Sequence, residues 1–235
     1  VERYPGINGI GIINVVKKNE LDAFVNQIKQ TAIPDYSVKT VMGNETIEEA
    51  GDKYGNHYLI TFVGPLEKNI QERGLDVGSE INRRAAAELA RDTGKPTVTQ
   101  KITLVQDSKK GPGFLLYLPF YKNGEPTSTV EERRRAHLGW VYAPIVTEVF
   151  WRNVLGKHDT EIAVFVFEKE SPIQENLVFR SDGEAGIFPV FERTTKILLG
   201  QHEFILGWVR RSGFSSSRDL ISSWVAFITS IVTLL

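Results

Sequence analysis

The sequence predicts an α+β protein built from antiparallel sheets with flanking helices. Two observations carry that expectation. Gly113–Tyr121, GFLLYLPFY, is a nine-residue run without a charge, and it is bordered by further β-like runs and by helices with their own start and stop signals. Within the run, Phe114, Leu116, Leu118 and Phe120 alternate with Leu115, Tyr117, Pro119 and Tyr121. Successive strand side chains point to opposite faces, so both faces are apolar and both are expected to be covered. One face is core. The other, with its two phenols, is either core as well or the floor of a small-molecule pocket. Phe114 and Leu116 are assigned to packed core. Tyr117 is assigned to the pocket side, which by parity it shares with Leu115.

The elements follow in chain order. Arg3–Asn14 holds three glycines that read as a turn, since their spacing is not that of a dinucleotide loop. A strand is expected over Ile10–Val16, then a helix capped by Asn19 with Leu21, Phe24, Val25 and Ile28 on one face. Tyr36–Met42 and His57–Val63 read as strands, and the polar stretch Gly43–Asn56 as loop or frayed helix. Ser79 is expected to start a helix stopped by Gly94, with Ile81, Ala85 and Leu89 toward the core. On it, Arg84 has Glu80 and Glu88 at i±4 and is expected on a solvated, ion-paired face. Arg83 has only Glu80 within helical reach and is the less satisfied cation.

Thr97–Gln106 alternates, with Val98, Ile102 and Leu104 opposite Thr99, Thr103 and Val105. It joins Gly113–Tyr121 through the turn Asp107–Pro112 as a hairpin. Thr129-Val130-Glu131-Glu132 is a capping box. His137–Ala143 is a further strand. Thr147 begins a helix with Phe150, Trp151, Val154 and Leu155 in one stripe and Gly156 as its stop. Strands are expected again at Glu161–Glu168, Asn176–Arg180, Ile187–Thr194 and His202–Arg210.

Composition narrows the function. The 235 residues are 41% hydrophobic and 24% charged, as in ordinary globular proteins. A net charge of −1 gives no electrostatic footprint for nucleic acid. Without cysteine there is no disulfide framework and no thiolate metal site. The four histidines, His57, His137, His158 and His202, lie far apart in sequence with no ligand spacing. Asp92-Thr93-Gly94 follows a helix rather than an apolar strand, and Gly94-Lys95 is followed by Pro96, so neither is a catalytic or phosphate signature. No enzyme activity, metal or cofactor is expected within these residues. Leu220–Leu235 has no charge in 16 residues and reads as the start of a transmembrane helix, although Arg210, Arg211 and Arg218 before it run mildly against the positive-inside tendency.

The ordered set Thr93-Gly94, PGFLLYLPFYKNG, TVEERRRAHLGWVYAP and a helix ending in Leu155-Gly156 resembles a CHASE domain. Tyr4–Gly11 and Tyr58–Ala87 extend the resemblance to most of residues 4–156. CHASE domains are extracytoplasmic sensor modules of membrane-bound histidine kinases and cyclases, the plant cytokinin receptors among them. The resemblance implies a sensory domain over 1–212 made of two stacked PAS-like subdomains: a distal one at about 35–145 that holds the ligand, and a proximal one at about 146–212. The transmembrane helix would then begin at 220–235.

The implied protein is a homodimeric receptor of the histidine kinase (two-component) or diguanylate cyclase type. It would sit in the cell inner membrane with this domain in the periplasm, signalling when a small molecule binds. The rival reading is a ligand-free, surface-anchored interaction module. By resemblance Arg83 stands where cytokinin receptors place an acid, so the ligand expected here is an anion or carries one. Thr99 matches a pocket threonine, Val105 a pocket leucine, Tyr117 a polar position and Trp140 a ring-bearing one. Leu115, Tyr58 and Phe62 complete the expected ligand-binding set.

Overall fold

The structure, a computed structural model, describes residues 5–41, 45–105, 111–155, 162–168, 172–183 and 189–210. It divides between Val146 and Thr147 into two compact units. The first contains β1 (Ile10–Lys17), α1 (Leu21–Thr31), β2 (Lys39–Thr40), α2 (Ile47–Tyr54), β3 (Asn56–Gly64), α3 (Leu66–Asn69), β4 (Leu75–Asp76), α4 (Ile81–Thr93), β5 (Thr97–Val98), β6 (Ile102–Thr103), β7 (Pro112–Tyr121), α5 (Val130–Ala136) and β8 (His137–Val146). The second contains α6 (Thr147–Leu155), β9 (Ile162–Glu168), β10 (Leu177–Arg180), β11 (Arg193–Leu199) and β12 (His202–Arg210). The architecture is α+β with two sheets and six helices among the described residues.

The first sheet runs β2-β4-β3-β1-β8-β7-β5, with β6 also on β7. It is antiparallel except for one parallel pair, β2 with β4. The uncharged run is strand β7, paired along its length with β8, with Tyr117 opposite Tyr142 and Pro119 opposite Trp140. The strand β1 lies in the middle, between β3 and β8. The strand β1 precedes residues 35–145 yet belongs to the same sheet. The second sheet, β10-β9-β12-β11, is antiparallel throughout, with Phe165, Phe167 and Ile205 in its core.

The buried face of the first sheet carries large side chains: Ile13, Tyr58, Ile60, Leu115, Tyr117, Trp140 and Tyr142. The helix α4 covers it with small ones, Ala86, Ala87 and Ala90. Arg83, Ala86, Ala87 and Ala90 are spaced i, i+3, i+4, i+7, one helical face. Small residues there let the helix backbone approach bulky rings, and the summed volumes fill the layer. The stripe expected to be core, Ile81, Ala85 and Leu89, faces out instead, with Ile81 69% exposed. Side-chain volume on the sheet, which helical periodicity does not register, selects the face.

Other differences are local. Glu80 rather than Ser79 caps α4, and α1 follows a 3-10 turn at Lys18–Glu20 with no side-chain cap from Asn19. The stretch read as loop or frayed helix holds α2, with a Thr46–Glu49 capping box and a left-handed Gly55. The capping box at Thr129–Glu132 starts α5 as expected. On β7 the more deeply buried face is that of Leu115 and Tyr117. Leu116 is half-buried and Leu118 exposed, so only Phe114 of the even set is fully buried. The turn expected from 107 to 112, the stop at Gly156 and the run Leu220–Leu235 lie wholly or partly outside the described residues.

A bulge in β3 decides a predicted site residue. Ile12 pairs with Phe62 but Ile13 pairs with Ile60, so Thr61 is an extra residue. Before it Tyr58 and Ile60 face the core; after it Val63 does, and Phe62 is turned outward, 60% exposed. Ile60→Ala should therefore cost about 2–5 kcal/mol, whereas Phe62→Ala should stay within about 0.5 kcal/mol. Similar losses in denaturant melts of the two variants would contradict this register. With Ile12, Val141 and Leu118, Phe62 forms an exposed apolar row across four strands of the outer face.

Candidate functional site

The site is built where α4 and the segment before it close over the buried face of the first sheet. Glu80 caps α4 by accepting from the backbone N–H groups of Asn82 and Arg83. Its carboxylate also takes the Arg83 guanidinium, Nη1 to Oε2 3.1 Å, while Nη2 of Arg83 donates to the Thr103 carbonyl at 2.8 Å. Arg83 is thus buried as expected of a pocket residue, but its charge is matched by Glu80. Arg84 departs further from expectation: it is only 6% exposed. It donates to Gly78 O (2.6 Å), Asn56 O (2.9 Å) and Asn56 Oδ1 (3.0 Å), and its guanidinium lies over the rings of Tyr54 and Tyr58. It is a structural strut, not a solvated surface charge.

Beneath α4 lies an aromatic wall. Trp140 packs against Tyr58 with ring centroids 4.7 Å apart and against Tyr117 at 6.3 Å, and its indole N–H donates to the Ala87 carbonyl. Tyr142, directly opposite Tyr117 across β7 and β8, reaches the other way and donates to Glu72 Oε2 at 2.6 Å. The ring can cross there because its β1 neighbour is Gly11: a Cβ on Gly11 would meet Tyr142 Cε1 at 2.4 Å. That glycine makes room inside the sheet.

Two buried oxygens in this layer, Glu72 Oε1 and the Tyr117 hydroxyl, have no hydrogen-bond partner among the described residues. Leaving such a group unpaired costs of order 1–3 kcal/mol. Burial pushes the Glu72 carboxyl up to about 7, against the lowering effects of the Tyr142 hydrogen bond and the Arg83 charge. Burial also raises the Tyr117 phenol, again with Arg83 acting to lower it. Arg83, Glu72 and Tyr117 therefore share one electrostatic neighbourhood.

Of the eight residues expected at the site, Tyr58, Leu115, Tyr117 and Trp140 come together in one core cluster. Arg83 stands at its edge. Thr99 is buried, but its hydroxyl accepts from Leu115 N at 3.1 Å and so holds β7 where the chain passes from β5 to β6. Val105 is 40% exposed and Phe62 is on the outer face, so neither joins the cluster. Glu72 and Tyr142 were not among the expected residues. Tyr142 shares strand parity with Trp140 and was legible on that ground. Glu72 sits in a polar Gln-Glu-Arg stretch with no pattern to mark it.

Two aspartates of the first unit are structural. Asp76 accepts from His57 Nδ1, Tyr58 N and Gly78 N, all within 2.9 Å, and so ties β4 to β3. Asp92 of the DTG sequence clamps α5: Arg134 holds its carboxylate with two hydrogen bonds, the nearer at 2.6 Å, and keeps it well below the usual carboxylate range.

The raised Glu72 gives a signed pH dependence. Its native form holds a proton more tightly than the unfolded chain does, so its contribution to stability is fully present below about pH 4.5 and lost as pH rises through about 7. His137 acts oppositely. Burial, aided by the Arg91 charge, lowers it from 6.5 to about 4, and its contribution is lost as pH falls through that window. Glu72→Gln removes the first effect alone. Its stability relative to wild type should rise by roughly 2–3 kcal/mol between pH 4.5 and 7.5. A pH-independent difference in urea melts would contradict the burial of this carboxyl.

The helix α4 thus covers the face of the first sheet that carries the aromatic wall. The family model described as CHASE domain matches residues 1–179, and the chain belongs to that family of extracytoplasmic, non-catalytic sensory domains of membrane receptors. The Hybrid signal transduction histidine kinase A of Dictyostelium discoideum is 24% identical over 135 residues, covering 54% of this chain and 6% of that protein. A solved structure, an extracellular ligand binding receptor from Desulfohalobium retbaense DSM5692, is 16% identical with a TM-score of 0.42, over 64% of this chain and 28% of its own. This chain thus spans only a small part of either protein's length. Among the described residues no helix is long and apolar enough to cross a membrane.

Proposed function

We propose that this domain senses a small molecule at the layer between α4 and the first sheet, as the input module of a membrane-bound histidine kinase or diguanylate cyclase. The observation that carries the reading is the pair of fully buried, unpartnered oxygens of Glu72 and Tyr117 beside the aromatic wall. Polar groups sealed without partners are costly, and a ligand that pairs them recovers that cost only when bound. The two sheets are proposed as PAS-like subdomains, the first holding the ligand. Leu220–Leu235 is proposed to open a transmembrane helix that anchors a homodimer in the inner membrane with this domain in the periplasm. Binding would change the seat of α4 on the sheet and be passed toward that helix.

The test is a thermal-shift screen of the 235-residue chain against small metabolites of all charge classes. A ligand at 100 times its Kd should add about 2.7 kcal/mol of stability, and the shift should be lost on perturbing the α4 layer. The rival, a ligand-free surface-anchored interaction module, draws on the exposed row Ile12, Phe62, Leu118 and Val141. It would be favoured if no compound shifts the midpoint while outer-face substitutions abolish association.

A further inference from the structure

We propose that the ligand presents a protonated nitrogen, an amine or amidine on an apolar body, which donates to Glu72 Oε1 and the Tyr117 hydroxyl under α4. This rests on the sensing reading above and gives that site its ligand class.

The charges in the layer point to a cation rather than an anion. Arg83 is buried but compensated: Glu80 holds it, and the Thr103 carbonyl takes a second donor. An anion at Arg83 would stand beside the Glu80 carboxylate that already holds the guanidinium, and in the neighbourhood of Glu72. Glu72 has no ion-pair partner among the described residues; its one hydrogen bond comes from the Tyr142 hydroxyl, on Oε2. A buried carboxylate so placed needs a positive charge or a proton. Burial raises this carboxyl to about 7 even with the Arg83 charge lowering it.

The second unpartnered atom adds direction. Tyr117 is fully buried, lies opposite Tyr142 in the strand register, and its hydroxyl bonds to nothing described, Glu72 included. Each of the two oxygens therefore lacks a partner, and the Arg83 charge acts on both groups. A cationic nitrogen carries two or three N–H groups and can donate both to an ionised Glu72 and to the Tyr117 hydroxyl, whereas a carboxylate, phosphate or ether has no donor for the ionised carboxylate and could only accept from the protonated acid and the phenol. Tyr58, Leu115 and Trp140 complete the wall and offer no further unpaired polar side-chain atom, so the body attached to the nitrogen should be alkyl or aryl. Trp140 and Tyr58 are already engaged with Ala87 and Glu88.

The experiment uses the 235-residue chain with matched probes: phenethylamine and benzamidine against phenylacetate and 2-phenylethanol, which keep the aryl body and change the charge. Melting midpoints and calorimetric affinities are read at pH 6, 7 and 8. The amines should raise the midpoint and their counterparts should not. Amine affinity should fall at pH 6, where Glu72 holds its proton. Glu72→Gln should weaken amine binding at least tenfold. Tyr117→Phe should weaken it several-fold while leaving the unliganded midpoint unchanged or higher, because it removes an unpaired hydroxyl. If Glu72→Gln fails to fold, Tyr117→Phe and the wild-type pH dependence decide. Binding of phenylacetate or 2-phenylethanol in preference to the amines overturns the cation proposal and leaves the sensing reading standing. Amine binding unaltered by either substitution also overturns it. Silence of all four probes overturns it as well, and if the wider metabolite screen is silent too, the sensing reading falls with it.

Discussion

Arg84→Ala is expected to destabilise the first unit by about 3–5 kcal/mol, the cost of breaking a buried, hydrogen-bonded charge network. The side chain spans three elements: it donates to Gly78 ahead of α4, to Asn56 at the start of β3, and to Glu88 one turn along its own helix. Removing it leaves the Gly78 and Asn56 carbonyls without this donor and uncovers the faces of Tyr54 and Tyr58. Arg84→Lys should recover little, since an ammonium cannot reproduce a planar fork shared among separated carbonyls. Urea melts of the two variants check this. A loss below about 1 kcal/mol for Arg84→Ala would return the residue to the solvated surface.

Trp140→Ala should cost a comparable 3–5 kcal/mol. The indole is fully buried, touches Tyr58, Tyr117 and His137, and its N–H is given to the α4 backbone. Trp140→Phe isolates the last contribution. It keeps most of the ring area, drops the donor to Ala87 O, and should lose about 1–2 kcal/mol less the repacking. Because Trp140 joins β8 to α4 through Ala87 O, both variants should also weaken any ligand held beneath α4. A Trp140→Ala protein as stable as wild type would mean that the helix does not rest on this ring.

The strands around Gly113–Tyr121, His57–Val63 and His202–Arg210, the Thr129 capping box and the α+β class were legible because each depends on local pattern, whereas the strand expected at Ile187–Thr194 stands at Arg193–Leu199. The run Gly113–Tyr121 could hardly be other than a two-sided strand, and Thr129 with Glu132 announces its helix. What was not legible depends on partners distant in sequence. The face of α4 is chosen by the volume of Tyr58, Tyr117 and Trp140 across the layer, so the alanines face in and Ile81 and Leu89 face out. Phe62 shares sequence parity with Tyr58, yet one inserted residue at Thr61 reverses its side. The charges of Arg83 and Arg84 were judged from helical neighbours alone. Their decisive partners also include the Thr103, Gly78 and Asn56 carbonyls, which only the fold supplies. Glu72 had no signal at all until Tyr142 was found reaching across Gly11 to meet it.

On the reading proposed above, a small molecule binds between α4 and the sheet. The most direct measurement is amide hydrogen exchange on the 235-residue chain, with and without the compound that raises its melting midpoint most. Bound ligand should slow exchange in residues 70–93, the segment carrying Glu72 and the whole of α4, with smaller changes in α1 and α2. Protection confined to α1, α2 or the sheet of Ile162–Arg210, with residues 70–93 unchanged, would contradict it.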